Sequence, residues 1–131
     1  LKVAKLPIRC FVFHDGSGLS RQNRISPKLL VEVLGTAPGD DRYSALITGL
    51  PVSGLNGSLT DRFGFSKPAR GVVRAKTGTL NDVSSLAGWA NLPDGRTVVF
   101  AIMADEINGY PLGAPQDAVD KIAAAIATCA C

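Results

Sequence analysis

The sequence predicts an α+β domain in which helices pack on an antiparallel sheet. Three observations carry this. Apolar residues recur at helical spacing in the first half of the chain, the period changes to that of strands from Gly71, and Pro93-Asp94-Gly95 is a strong hairpin signal between two strand-like runs. The 131 residues, 46% hydrophobic and 19% charged, fit one globular domain over 1–131, without internal repeat, low-complexity tract or linker.

Ile8 to Phe13 reads as a short strand, followed by a glycine-rich turn, Asp15-Gly16-Ser17-Gly18. Ser26 can cap a helix that Pro27 opens; Leu29, Leu30, Val33 and Leu34 form its apolar face and Gly35 ends it. After a loop, Thr36 to Asp40, the stripe Tyr43, Leu46, Ile47, Leu50 predicts a second helix, stopped by Pro51. Asn56-Gly57 is a turn. Ser58 and Asp61 have the spacing of a capping box for a third, short helix through Phe63. Gly64 to Arg70 reads as a flexible connection.

Three strands follow: Gly71 to Leu80, Val83 to Leu92 and Arg96 to Ala104, with Asn81-Asp82 turning between the first two. The third is apolar from Val98 to Met103, which predicts burial on both faces. A loop from Asp105 to Pro115 leads to a last helix with Val119, Ile122, Ala123 and Ile126 on one face. Trp89 and Phe100 are expected in the core.

Several function classes are disfavoured. The net charge of +3 comes from scattered basic residues not interleaved with aromatics, so no nucleic-acid groove is indicated. No segment reaches the roughly 20 apolar residues that span a bilayer. Leu1 to Pro7 does not read as a leader, being broken by Lys5 and Pro7. The chain starts without Met, as an internal or processed piece would, so compartment stays open on that ground. Cys10, Cys129 and Cys131 are an odd set: Cys10 can bridge to one of the terminal pair if the chain ends meet. Adding His14 to the thiols matches no zinc pattern, so no metal and no cofactor are expected. Ser17 lies between glycines with His14 three residues before it, but without G-x-S-x-G it reads as a turn in which Asp15 and Ser17 bond local N–H groups. Asn56-Gly57-Ser58 has the form of a glycosylation site but is read as a turn.

The most informative string is Arg74-Ala75-Lys76-Thr77-Gly78-Thr79-Leu80. K-T-G on a strand is a signature of penicillin-recognising serine enzymes. Lys76 offers a positive charge to the terminal carboxylate of a peptide ending in D-Ala, and Thr77 a hydroxyl to the same group. Gly78 lets a substrate backbone approach the strand edge. The Thr79 N–H can point at the scissile carbonyl as half of an oxyanion hole.

The wider sequence resembles one family. Asp15 to Arg21, then Asn23-Arg24 and Ser26-Pro27, is similar to the D-G-S-G-L-S-R-x-N-R-x-S-P block of the D-Ala-D-Ala carboxypeptidase/endopeptidases of peptidase family S13, the class C penicillin-binding proteins. Leu50 to Gly54 with Gly57-Ser58-Leu59 resembles its L-P-x-x-G-x-x-G-T-L segment, and Ala75 to Leu80 with Leu86 to Trp89 its A-K-T-G-T-L…L-A-G-Y/W segment. The resemblance runs from Asp15 onward. It implies the penicillin-binding or β-lactamase-like fold, a five-stranded antiparallel sheet with helices on both faces, of which this chain supplies the C-terminal part of the transpeptidase-like domain. It also implies cleavage of D-Ala-D-Ala peptides of peptidoglycan through an acyl-serine, the same serine being acylated by β-lactams, outside the cytoplasmic membrane and without a metal.

The family also needs S-x-x-K, with the nucleophile and its lysine, and S-x-N. Ser26, Ser53 and Ser66 are followed at +3 by Leu29, Asn56 and Ala69; no serine has Lys at +3 or Asn at +2. Hence no catalytic residue is assigned within this chain, and Lys76, Thr77, Gly78 and Thr79 are its expected substrate-binding residues. The nucleophile is expected in an upstream portion of the same protein. A non-catalytic remnant or peptide-binding module of the same fold is the alternative. A β-lactamase-like hydrolase is disfavoured by the D-G-S-G-L-S-R block.

Overall fold

Strands form where β-branched and small residues run from Val73 to Ala104. In the computed structural model, which describes residues 11–111 and 113–129, this stretch is a meander of three antiparallel strands: β1 (Val73–Leu80), β2 (Val83–Asn91) and β3 (Thr97–Ala104). The register pairs Leu80 with Val83 across the two-residue turn Asn81-Asp82, and Asn91 with Thr97 across the second turn. There Gly95 has φ +85°, and the Arg96 N–H donates to the Asp94 carboxylate at 2.9 Å, so the Pro93-Asp94-Gly95 signal is met.

Helices cover both faces. Helix α1 (Pro27–Thr36) starts at Ser26, whose hydroxyl accepts from the Leu29 N–H at 3.2 Å, and runs one residue past the expected glycine stop. Helix α3 (Ala114–Ala127) packs Val119, Ala123, Ala124 and Ala127 against Val73, Ala75, Leu86, Ala90 and Phe100. On the opposite sheet face Leu34, Ala37 and Leu50 bury Trp89, so both core aromatics lie where the sequence puts them. Alternation along the strands explains the division: residues 73, 75 and 86 face α3, whereas 74, 87 and 89 face α1.

Gly88 is dictated by this pairing. A Cβ there would lie 2.1 Å from the Arg74 carbonyl oxygen and 2.6 Å from Ala75 Cα, both backbone atoms. Only glycine lets β1 and β2 approach as they do.

Several expectations are corrected. The second helix is shorter than its stripe: the chain makes tight turns at Ala37–Gly39 and Asp41–Tyr43, and α2 covers only Ser44–Gly49. The Asp40 carboxylate, accepting from the Arg42 N–H at 3.0 Å, holds the second of those turns. Leu46 is exposed rather than buried. The third helix and its capping box do not form: Gly57–Leu59 makes a single 3₁₀ turn without a side-chain cap. The chain then reverses at Phe63, whose φ of +64° no helix allows and whose ring is buried.

Gly64 to Arg70 is mostly exposed but anchored at Ala69. Ala69 is fully buried and its carbonyl accepts from the Ser53 hydroxyl at 2.7 Å. β1 starts at Val73, because Gly71 is in the left-handed region. β3 is not buried on both faces: only Phe100 is, since α1 and α3 cover the strand incompletely and, among the described residues, it pairs only with β2. On α3, Ile122 is exposed and the buried face is rotated to take in Asp120. Of the strand expected at Ile8 to Phe13, the described part makes one bridge, Val12 with Arg24; the rest lies outside the described residues.

The buried Asp120 has its counter-charge. Arg62 donates to it twice, Nε to Oδ2 at 2.9 Å and Nη2 to Oδ1 at 2.6 Å, in the bidentate geometry of a guanidinium fork. This pair fastens the 57–63 segment to α3.

Candidate functional site

Backbone parity decides which groups of β1 are available. In an antiparallel ladder hydrogen-bonded and non-hydrogen-bonded pairs alternate. The Asn91 N–H donates to the Val72 carbonyl at 3.0 Å, so residues 74, 76, 78 and 80 turn their backbone groups toward β2. Residues 73, 75, 77 and 79 turn theirs to the outer edge. The segment 51–53 covers the first part of that edge: the Ser53 N–H donates to the Val73 carbonyl at 2.8 Å, and the Ala75 N–H to the Pro51 carbonyl at 2.9 Å. Arg74 fastens the cover further, donating to the Thr48 and Leu50 carbonyls at 3.0 and 3.1 Å. Among the described residues no backbone group pairs with the edge beyond Ala75, where Thr77 and Thr79 follow.

The K-T-G side chains surround this open length. Lys76 is exposed, and its ammonium donates to the Thr77 carbonyl at 2.8 Å, which brings the charge to the edge. The Thr77 hydroxyl donates to the Ser58 hydroxyl at 3.1 Å. Thr79 is exposed, with its N–H directed away from β2. The backbone groups of Gly78 face β2, and a Cβ on it would meet the Ser85 hydroxyl at 2.4 Å, so the missing side chain also leaves room for Ser85 on the sheet face. Beyond Thr79 lies a cavity of about 320 Å³ among Leu80, Ile107, Tyr110, Pro115 and Gln116, which no sequence pattern had suggested.

The D-G-S-G loop meets the far end of the same hairpin. The Asp15 carboxylate accepts from Asn23 Nδ2 at 2.8 Å, from the Ser17 hydroxyl at 2.7 Å and from the N–H groups of Gly18, Leu19 and Ser20. The Asn23 amide first, then Ser17 and the backbone donors, pull its pKa down to about 2. Ser17 thus has the turn role read from the sequence, with its proton on Asp15. His14 is exposed, its N–H donating to the Asn23 side chain at 2.8 Å. Arg21, at the loop's end, pairs with Asp82 in the β1–β2 turn at 2.8 Å. Among the described residues no three His, Cys, Asp or Glu side chains are placed to hold a metal ion. Cys129 is in a disulfide; Cys10 and Cys131 lie outside the described residues.

Residues 1–126 match the D-Ala-D-Ala carboxypeptidase 3 (S13) family. The chain belongs to this family. Among curated proteins, the penicillin-sensitive carboxypeptidase A of Dictyostelium discoideum is 40% identical over 109 residues, covering 76% of this chain and 20% of that protein. The D-alanyl-D-alanine carboxypeptidase DacB of Haemophilus influenzae is 37% identical over 103 residues, covering 78% and 21%. The crystal structure of penicillin-binding protein 4 from H. influenzae superposes with a TM-score of 0.86 at 27% identity, over 98% of this chain and 30% of that one; the same protein has also been solved with a β-lactam. The penicillin-binding fold expected from the motifs is therefore the fold observed. The chain spans 20–26% of the length of the curated relatives it matches.

Proposed function

We propose that this chain carries the substrate-binding strand of a serine-type D-Ala-D-Ala carboxypeptidase or endopeptidase acting on peptidoglycan stem peptides. S-x-x-K and S-x-N are supplied by an upstream portion of the same protein. The observation that carries this reading is the open edge of β1 at Thr77 and Thr79, beside the Lys76 ammonium and the Thr77 hydroxyl. A peptide lying along that edge places its terminal carboxylate against Lys76 and Thr77. Its scissile carbonyl then meets the Thr79 N–H, which stabilises the oxyanion as a serine attacks. β-lactams, which carry a carboxylate beside a strained amide, take the same position. Such chemistry on peptidoglycan belongs outside the cytoplasmic membrane, and needs neither metal nor cofactor.

The absence of S-x-x-K and S-x-N from these 131 residues favours a second reading, a peptide-binding module or remnant of the same fold. The two are separated in the polypeptide that joins this chain to its upstream coding sequence. On the enzyme reading that polypeptide contains S-x-x-K and is labelled by fluorescent penicillin. Lys76→Ala should then lower kcat/KM for D-Ala release by about ten- to a hundredfold, the worth of one charge-assisted hydrogen bond. Unchanged acylation in Lys76→Ala would sink the K-T-G assignment. An upstream sequence without the serine would establish the module.

A further inference from the structure

We infer that Ser58 is a positioning residue of the substrate site: its hydroxyl sets the direction of the Thr77 hydroxyl that receives the substrate's terminal carboxylate. This rests on the K-T-G reading above.

The first observation is a hydroxyl without its expected employment. Ser58 has the spacing of a helix cap, but it lies inside the 3₁₀ turn Gly57–Leu59, whose cap position is Asn56, and not at the head of a helix. Its oxygen instead accepts from Thr77 Oγ1 at 3.1 Å, across 19 residues of sequence. The second observation is that the backbone around Ser58 is fixed although its side chain is exposed. Leu59 is fully buried, its carbonyl accepts from the Gly54 N–H at 2.9 Å, and the Asn56 side chain accepts from the Val52 N–H at 2.8 Å. The same segment covers the β1 edge through Ala75 and leaves it just before Thr77. Ser58 therefore stands where the covered edge becomes the open edge.

A hydroxyl has one proton and two lone pairs, and its proton turns to suit its neighbours. Without substrate, the Thr77 and Ser58 hydroxyls share one hydrogen bond. When a carboxylate arrives, the Thr77 proton turns to it, and the Ser58 proton turns to the Thr77 oxygen. The result is a directed chain, Ser58 to Thr77 to carboxylate, in which each bond polarises the next. Without the Ser58 oxygen the Thr77 hydroxyl is a free rotor and loses that polarisation.

The test uses the polypeptide carrying this chain together with its upstream segments, with a peptide ending in D-Ala-D-Ala as the free acid and as its C-terminal amide. Ser58→Ala should lower kcat/KM on the acid about three- to tenfold, as expected for one neutral hydrogen bond. Ser58→Thr, which keeps the hydroxyl, should restore it. In a Thr77→Val background Ser58→Ala should add no further loss, and on the amide its effect should vanish. Melting temperature serves as the folding control. Wild-type kcat/KM in Ser58→Ala, or a full loss that persists in Thr77→Val or on the amide, would overturn the inference. Lys76→Ala keeps the two failures apart. If it is damaging while Ser58→Ala is silent, only the role of Ser58 falls; if both are silent, the K-T-G reading falls with it.

Discussion

Replacing Arg62 by Ala should be among the most damaging changes outside the K-T-G strand. The Asp120 side chain is 3% exposed and Arg62 17%, so the carboxylate is the more deeply buried partner. Arg62→Ala leaves that carboxylate in α3 without its counter-charge and without two short hydrogen bonds. Breaking a buried pair from one side costs about 3–5 kcal/mol. The reciprocal change, Asp120→Asn, should cost less, because the Arg62 guanidinium retains some access to water. The double replacement Arg62→Leu with Asp120→Leu removes both charges and should recover most of the loss. The assay is a double-mutant cycle by urea unfolding in the polypeptide carrying the upstream segments, with hydrogen exchange of the α3 amides to localise the effect. A cost below about 1 kcal/mol for Arg62→Ala would refute the reasoning, since it would place the pair among weak surface bridges. So would a double mutant no better than the single.

Three further outcomes are expected. Gly88→Ala should destabilise at the upper end of the ~1–3 kcal/mol range for overpacking, because the new Cβ meets backbone of β1 that cannot swing aside; a melting temperature equal to the parent's would contradict the close approach. The Asp15 carboxyl should titrate near pH 2 by NMR rather than near 3.8, and Asn23→Ala should move the midpoint upward. Because its folded pKa is depressed, the support this carboxylate gives the D-G-S-G loop is complete above about pH 4 and is lost as pH falls through 2. Residues 1–131 expressed alone should aggregate or unfold without cooperativity, since among the described residues β3 and the part of β1 beyond Ala75 have no further strand beside them, and should take no covalent label from a β-lactam. A sharp thermal transition of a lone monomer, or a stoichiometric serine adduct, would contradict these expectations.

The fold was most legible where a local rule and the tertiary structure ask for the same thing. Pro93-Asp94-Gly95 turns because its own dihedrals and the Asp94 side chain turn it, and Ser26-Pro27 caps α1 for equally local reasons. Legibility failed where packing chose between alternatives that the sequence leaves equal. The stripe from Tyr43 to Leu50 has helical period, yet Leu46 faces solvent in a helix of six residues. On α3 an aspartate outcompeted Ile122 for the interior, because Arg62, 58 residues away, was there to neutralise it. No window of sequence contains that partner.

The site divides in the same way. K-T-G announced itself as a string, but which of its atoms are available follows from ladder parity, which a string does not carry. Parity turns the backbone of Thr77 and Thr79 to the outer edge and that of Gly78 toward β2. Ser58 is the converse case. A capping box is a competition between a hydroxyl's local and distant partners, and spacing reports only the local one. Here only a 3₁₀ turn forms over Gly57–Leu59, with Ser58 inside it, Phe63 takes a left-handed φ of +64°, and the Ser58 hydroxyl bonds Thr77. Arg62, beside Phe63, then fastens that reversed segment to α3. The Arg62–Asp120 pair and the Ser58–Thr77 pair are thus linked through one short stretch of chain. On the proposed K-T-G reading, a loss of stability in Arg62→Ala should therefore be accompanied by a higher KM for peptides ending in a free carboxylate.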